Sequence, residues 1–445
     1  MDEPKKEELS LKETLKLLFG ASKGFWLVNM VNFGDGIAYF GILTLLTLFL
    51  GRIGMSDSRA GLSVSMFTGL VTLFMFGGGF ISDKLGVRRA LTLCLVLCLA
   101  GRVLLSGSPQ LGGAAHLAAW LGLLVLSFGE GVIQPALYAG VKEYTDARTA
   151  TMGYGILYAI MNLGIVAENF VSPFVRTDKP FLFGVNGLGL GYDGVFWMCT
   201  GITVFMLLVH VGLFTSRVEA ADRVIVDAPK SEEPVKTWQE KLKELPFLDP
   251  RFMVFIFVLL PVRTLFAHQW LTLPDYVMRC YPPEVGAKYE WISGLNPFII
   301  VIFVPLIAAM TRKANVVTMM LIGTTISALT TFILVPGPNL NALIIYVILF
   351  SLGEAVWSSR FLEYVADLAP AGKVGAYMGL AGIPWFLAKF TTGLYSGRML
   401  EHFIPKGGPH DSSTLWLIYA LIACVSPLGL LVVKRWISKK NPGAP

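Results

Sequence analysis

The sequence predicts an all-α membrane protein of twelve transmembrane helices arranged as two six-helix bundles. Three observations carry this expectation. Of 445 residues, 54% are hydrophobic and only 15% charged, whereas a soluble domain averages ~25% charged, so lipid must cover much of the surface. Apolar windows long enough to cross a ~30 Å hydrocarbon layer, about 20 residues each, recur twelve times. Runs such as Leu93 to Ala100 and Ala342 to Phe350 are apolar on every side, which excludes the alternating strands of an outer-membrane barrel.

Taken in order, residues 1–23 form a charged segment without a small-residue cleavage site, and so not a signal peptide. The first bundle, 24–215, holds spans at 24–50, 59–82, 89–107, 116–140, 150–174 and 194–215. A polar linker of mixed charge, 216–250, follows, in which Trp238, Leu242 and Leu245 share one face of an interfacial or a solvated helix. The second bundle, 251–435, holds spans at 251–272, 291–310, 315–335, 341–366, 374–396 and 415–435, the seventh interrupted by Pro261, and 436–445 is a tail. The N-terminus, the even-numbered loops and the C-terminus carry 24 of the 36 Lys and Arg, against 8 in the odd-numbered loops. Basic residues are retained on the cytoplasmic side, so both termini are expected in the cytoplasm, with the protein in the cell (inner) membrane. That bias, facing anionic lipid, also accounts for the net charge of +6 without a nucleic acid.

Catalytic signatures are missing from the sequence. The five histidines, His116, His210, His268, His402 and His410, show no metal spacing, and no G-x-S-x-G or Walker sequence occurs. Cys94 and Cys98, one turn apart in an apolar run, read as packing residues. The prediction is therefore no enzyme, no metal and no cofactor.

Charges inside the spans are informative, because each costs about +2.5 to 3.5 kcal/mol near the bilayer centre and must be paired, wet or useful. Asp35, Glu130, Arg263 and Glu354 fall on spans one, four, seven and ten, equivalent helices of four three-helix units facing a central path. Asp35, Glu130 and Glu354 have no base three or four places away, which favours a cavity role. Arg263 suits a counter-ion or a partner for a carboxylate or phosphate. Arg360 and Glu363, three apart, read as an ion pair or gate tie. Arg102 and Lys389 either snorkel or pair toward the outer half, or touch substrate. Glu168 lies on span five, and His268, near the end of span seven, is either a hydrogen-bonded helix residue or part of the site.

Between spans two and three stands Gly79-Phe-Ile-Ser-Asp83-Lys-Leu-Gly86-Val-Arg88-Arg89. Gly79 admits a close helix, Gly86 permits a tight turn, Asp83 accepts from helix ends or arginines, and Arg88 with Arg89 sit at the inner headgroups. This spacing and placement resemble the loop signature of the major facilitator superfamily. There the loop gates movement between helices two and eleven. A second likeness lies in Asp35-Gly-Ile-Ala-Tyr39-Phe40-Gly41, in Gly129-Glu130-Gly131-Val-Ile-Gln134-Pro135, in Gly153 to Phe174 with Tyr158 and Asn162, and in Phe350-Ser-Leu-Gly353-Glu354 followed by Leu368-Ala-Pro370. These resemble the proton-coupled oligopeptide transporter family. Where that family's first helix carries E-x-x-E-R this chain has Asn32-Phe-Gly-Asp35-Gly36, and Gln134 replaces its fourth-helix lysine. Glu354 matches the tenth-helix acid, which in the family helps to bind the peptide's amino end.

The resemblance implies a secondary transporter that moves a small peptide-like, zwitterionic or amphiphilic solute by alternating access. Proton coupling would fall to Asp35 and Glu130, and solute binding to Glu354, Arg263, Asn32, Tyr39, Gln134, Tyr158, His268 and Trp357. Gating would involve Gly79, Asp83, Gly86, Arg88, Arg89, Arg360 and Glu363. The partners implied are a small-molecule substrate, protons and membrane lipid around a monomer. A proton-antiporting exporter of drugs, lipids or metabolites, or a transporter-like sensor, is the alternative.

Overall fold

The computed structural model describes residues 20–145, 150–180, 185–223, 250–311, 314–368 and 383–437. These hold twelve helices of at least 15 residues. The first six are α1 (Lys23–Arg52), α2 (Asp57–Leu85), α3 (Val87–Gly107), α4 (Ala115–Tyr144), α5 (Ala150–Arg176) and α6 (Gly191–Leu213). The second six are α7 (Pro250–Leu271), α8 (Tyr289–Met310), α9 (Val316–Thr330), α10 (Leu340–Leu368), α11 (Ile383–Phe403) and α12 (Ser412–Ile437). Among the described residues, ten stretches are long and apolar enough to cross a membrane; one of them, Val87–Tyr144, contains both α3 and α4.

Local chemistry sets the helix ends. The hydroxyls of Ser22 and Ser56 accept from the backbone N–H of Phe25 and Arg59, capping α1 and α2. Gly86, at φ 76°, ends α2 and starts α3, a backbone conformation that the L side chains tolerate poorly. The expected break at Pro261 is absent: α7 runs through it. A proline there removes a hydrogen bond and disturbs the ladder, and the next N–H, on Val262, donates to Ser426 Oγ of α12 at 2.8 Å. The break comes at Thr272 instead, after which Leu273–Cys280 forms a short helix. The segment 237–245 lies outside the described residues, but the linker's start, Ser216–Asp222, is helical.

Each half uses the same close packing. A Cβ on Gly101 of α3 would meet the Leu126 backbone of α4 at 2.6 Å, and one on Gly353 of α10 would meet the Ser327 backbone of α9 at 2.9 Å. Lipid offers no hydrophobic drive between helices, so small residues that let backbones approach carry the association. The pairs α3·α4 and α9·α10 are thus structural equivalents, although the sequences show only a weak repeat. Across the halves, α2 packs on α11, α5 on α8 and α1 on α7.

The side of the bundle where α1 begins and α12 ends is here the near end, and the opposite side the far end. Ion pairs and hydrogen bonds join the halves at the far end. Arg279 binds both oxygens of Asp57 at 2.7 and 2.8 Å, Arg176 binds Glu290 at 2.5 and 2.7 Å, and Ser58 donates to Glu401 from its backbone at 2.8 Å and its hydroxyl at 2.5 Å. Toward the near end one face of α2 is open among the described residues: Phe80 is 76% exposed, and a Cβ on Gly77 or Gly79 would meet nothing within 4 Å. The close approach expected at Gly79 occurs one residue earlier, at Gly78, where a Cβ would meet the Gly131 carbonyl at 2.9 Å.

Candidate functional site

The first half centres on a buried charge cluster. Asp35 on α1, Arg102 on α3 and Glu130 on α4 are 7%, 1% and 2% exposed. Arg102 Nη2 donates to Glu130 Oε1 at 2.6 Å and to Asp35 Oδ1 at 3.2 Å, while Nη1 donates to Thr203 Oγ1 on α6 at 2.6 Å. The glycines beside the acids allow this convergence. Gly34 takes the Met206 side chain of α6, Gly36 packs on the Met161 carbonyl of α5, and Gly129 packs on Cys98. Two carboxyl groups share one guanidinium, which balances only one of them when both are ionised. Of the readings open for Arg102, it pairs rather than snorkels. Asp35 and Glu130, which have no base three or four places away on their own helices, take theirs from a different helix.

Tyr39, one turn beyond Asp35, lies within electrostatic reach of both acids. The adjacent Phe40 ring is 6.3 Å from Trp270 of α7, across the boundary between the halves.

The second half presents cations among aromatic rings. Arg263 on α7 is 1% exposed, with its guanidinium 4.2 Å from the Phe361 centroid, 5.0 Å from Trp385 and 5.1 Å from Trp357. Lys389 on α11 lies 5.2 Å from the Trp270 centroid and 5.9 Å from Trp385. Glu354 on α10 is half-buried and accepts from Asn296 Nδ2 of α8 at 2.8 Å. Tyr158 of α5, half exposed, lies within electrostatic reach of Glu354, and Tyr154, on the same helix, has its ring 5.9 Å from Tyr138 of α4. Gln134 is partly buried one turn from Glu130.

Other expected site residues are placed differently. Asn32 donates its amide to the Leu157 carbonyl at 2.6 Å and ties α1 to α5. His268 bonds Thr272 through one ring nitrogen at 2.8 Å and Tyr395 through the other at 3.1 Å, and it stacks on Tyr419 with centroids 3.7 Å apart. Both ring nitrogens of His268 are thus engaged, and Asn32 is 1% exposed. Trp357 is 1% exposed and meets Arg263 rather than open space. Arg88 pairs with Glu219 at 2.9 Å, Arg89 is exposed, and Arg360 donates to Thr311 Oγ1 at 2.7 Å. The side chains of Asp83 and Glu363 lie outside the described residues.

Glu168, on α5, was read only as a span charge. It is 0% exposed, wedged between Gly41 and Cys199, and neither carboxylate oxygen has a hydrogen-bond partner among the described residues. Burying such a group unpaired is costly. Glu168→Met, which keeps the volume, is therefore expected to raise the melting temperature of the purified protein in detergent; a fall of several degrees would show that Glu168 is satisfied in a way the geometry does not reveal.

The architecture defines a class: a helical membrane protein of two similar halves, each with charged groups buried among its helices. The sequence profile of the Major Facilitator Superfamily matches residues 25–279, and the chain belongs to that superfamily. It is 22% identical over 459 residues to dipeptide and tripeptide permease A of Yersinia pestis, covering 90% of this chain and 88% of the permease. Among solved structures it resembles the peptide transporter POT in complex with sulfate, with a TM-score of 0.72, 18% identity and coverage of 95% and 97%. It resembles the nucleoside transporter NupG equally in fold, with a TM-score of 0.73, 11% identity and coverage of 93% and 99%.

Proposed function

We propose that this protein is a proton-coupled secondary transporter that moves a small peptide-like solute across the cell membrane by alternating access. The observation that carries the proposal is the buried Asp35–Arg102–Glu130 cluster, two acids on one base. One added proton brings the cluster to neutrality and releases one carboxylate from Arg102, so the packing of α1 against α3 and α4 depends on its occupancy. α1 also touches α7 through Phe40 and Trp270, which links the cluster to the other half. Rigid halves rocking about a midplane site move a solute without carrying charge through lipid. One proton falling through 100 mV supplies about 2.3 kcal/mol, enough for roughly fiftyfold accumulation of a neutral solute.

The excess of Lys and Arg at the near end supports a cytoplasmic position for it and for both termini. The far-end ion pairs then close the outside, and the solute path opens inward, past Tyr138, Tyr154 and Tyr158 toward Glu354. The likeness to the Yersinia pestis permease supports a peptide-like solute. Proteoliposomes with an imposed pH gradient test the reading, with trialanine as solute. Asp35→Asn and Glu130→Gln should each reduce gradient-driven accumulation at least tenfold while exchange of trialanine across a membrane without a gradient persists. Unchanged accumulation in both variants would sink the coupling role.

A further inference from the structure

Among the described residues, two mid-membrane cations of the second half, Arg263 and Lys389, form no ion pair. Arg263 is stacked by Phe361, Trp385 and Trp357, its Nε and Nη1 are buried with no hydrogen-bond partner among the described residues, and Glu354 lies within its electrostatic reach but not in contact. Lys389 sits against Trp270 and the same Trp385 indole, and forms no ion pair among the described residues. Rings cover the faces of a guanidinium and leave its N–H edge to donate. A buried cation with unmet donors is expensive unless something arrives to meet them. In the first half the mid-membrane cation, Arg102, is already held by Asp35, Glu130 and Thr203, and Gln134 and Gly36 stand where the peptide-transporting family carries bases. Among the described mid-membrane residues, an acidic group on a solute therefore finds no free base in the first half and two in the second.

We propose that the transported solute carries a compact oxyanion, a carboxylate or a phosphoryl group, and that Arg263 and Lys389 bind it beside the Trp385 indole. This deepens the transporter reading and rests on it for the word solute; the anion seat itself does not. The acidic end of the solute lies in the half that contains Glu354, and the Asn296-held carboxylate of Glu354 faces any amine from the same side.

The test uses the full chain purified in neutral detergent, titrated with sodium sulfate and sodium phosphate against sodium chloride at matched ionic strength. Tryptophan fluorescence and thermal shift are the readouts. Saturable sulfate or phosphate binding is expected, weakened about thirtyfold or more in Arg263→Gln and in Lys389→Gln. Arg263→Gln should melt no lower than the wild type without anion, since it removes unmet buried donors; a purely structural arginine would give the opposite. Trialanine should displace sulfate, and trialanine amide should do so at least about thirtyfold less well. No saturable binding, or binding that both variants retain, overturns the seat. So does a response confined to added phosphatidylglycerol, which would assign the cations to a lipid headgroup. Sulfate binding that needs Arg263 in a protein that accumulates no trialanine with a proton gradient supports the seat and overturns the proton-coupled peptide reading instead.

Discussion

Arg102→Gln is expected to abolish proton-driven uptake and to lower the yield of folded protein sharply. The guanidinium is 1% exposed, and among the described residues it is the base that Asp35 and Glu130 contact. Removing one partner of a buried ion pair costs about 3–5 kcal/mol, because the charge left behind has neither water nor a counter-ion. Here two carboxylates are stranded, at 6% and 3% side-chain exposure, and Thr203 loses its donor. Arg102→Lys should recover only part of the loss, since an ammonium is a point charge that cannot reproduce the planar fork joining α1, α4 and α6. The triple change Arg102→Gln, Asp35→Asn, Glu130→Gln removes every charge at once. It should restore folding, read as a monodisperse peak and a near-wild-type melting temperature, yet remain unable to accumulate solute against a gradient. If the single Arg102→Gln variant folds normally and transports at the wild-type rate, the cluster is not what holds or couples the first half.

That cluster also marks the limit of the sequence. The helices were legible because crossing a membrane forces long apolar windows, and the predicted α1, 24–50, differs from the observed Lys23–Arg52 by only one or two residues at its ends. Asp35, Glu130, Arg263 and Glu354 stood out because charge is rare in such windows. Which of them pair did not. Searching three or four places along a helix finds pairs on one face, whereas Arg102 reaches Asp35 and Glu130 from positions 67 and 28 residues away. The far-end ties were missed for a different reason. Asp57, Arg279, Arg176 and Glu290 each lie at or near a helix end, where a charge ordinarily faces water and carries no signal. Gly397 was invisible too, because a glycine near the end of a helix reads the same whether it faces lipid or a second backbone.

Gly397→Ala should stop transport without unfolding the protein. The added Cβ would lie 2.2 Å from the Asp57 carbonyl oxygen and 2.6 Å from Ser58 Cα, both backbone atoms that cannot turn aside as a side chain can. The neighbouring turn is as tight, since a Cβ on Gly393 would meet Ser65 Cβ at 2.3 Å. Room for one methyl group requires α2 and α11 to move apart at the far end, and Asp57 and Ser58 are the residues that bind Arg279 and Glu401 there. The seam lies between the halves: α2 remains packed on α4 and α11 on α7, so the core of each half is untouched and the melting temperature should change little. Held apart at the far end, the halves cannot adopt the closed-outside state, and gradient-driven uptake should fall to background. A cysteine introduced at Tyr158, half exposed in this state, reports the shift directly: its reaction with a membrane-impermeant maleimide from the near side should slow markedly in the Gly397→Ala background. Gly407→Ala is the matched control, in the loop after α11 with no atom within 4 Å of the new Cβ, and it should transport normally. Wild-type uptake by Gly397→Ala, with unchanged labelling at position 158, would mean that the far-end contact of α2 with α11 is not a gate.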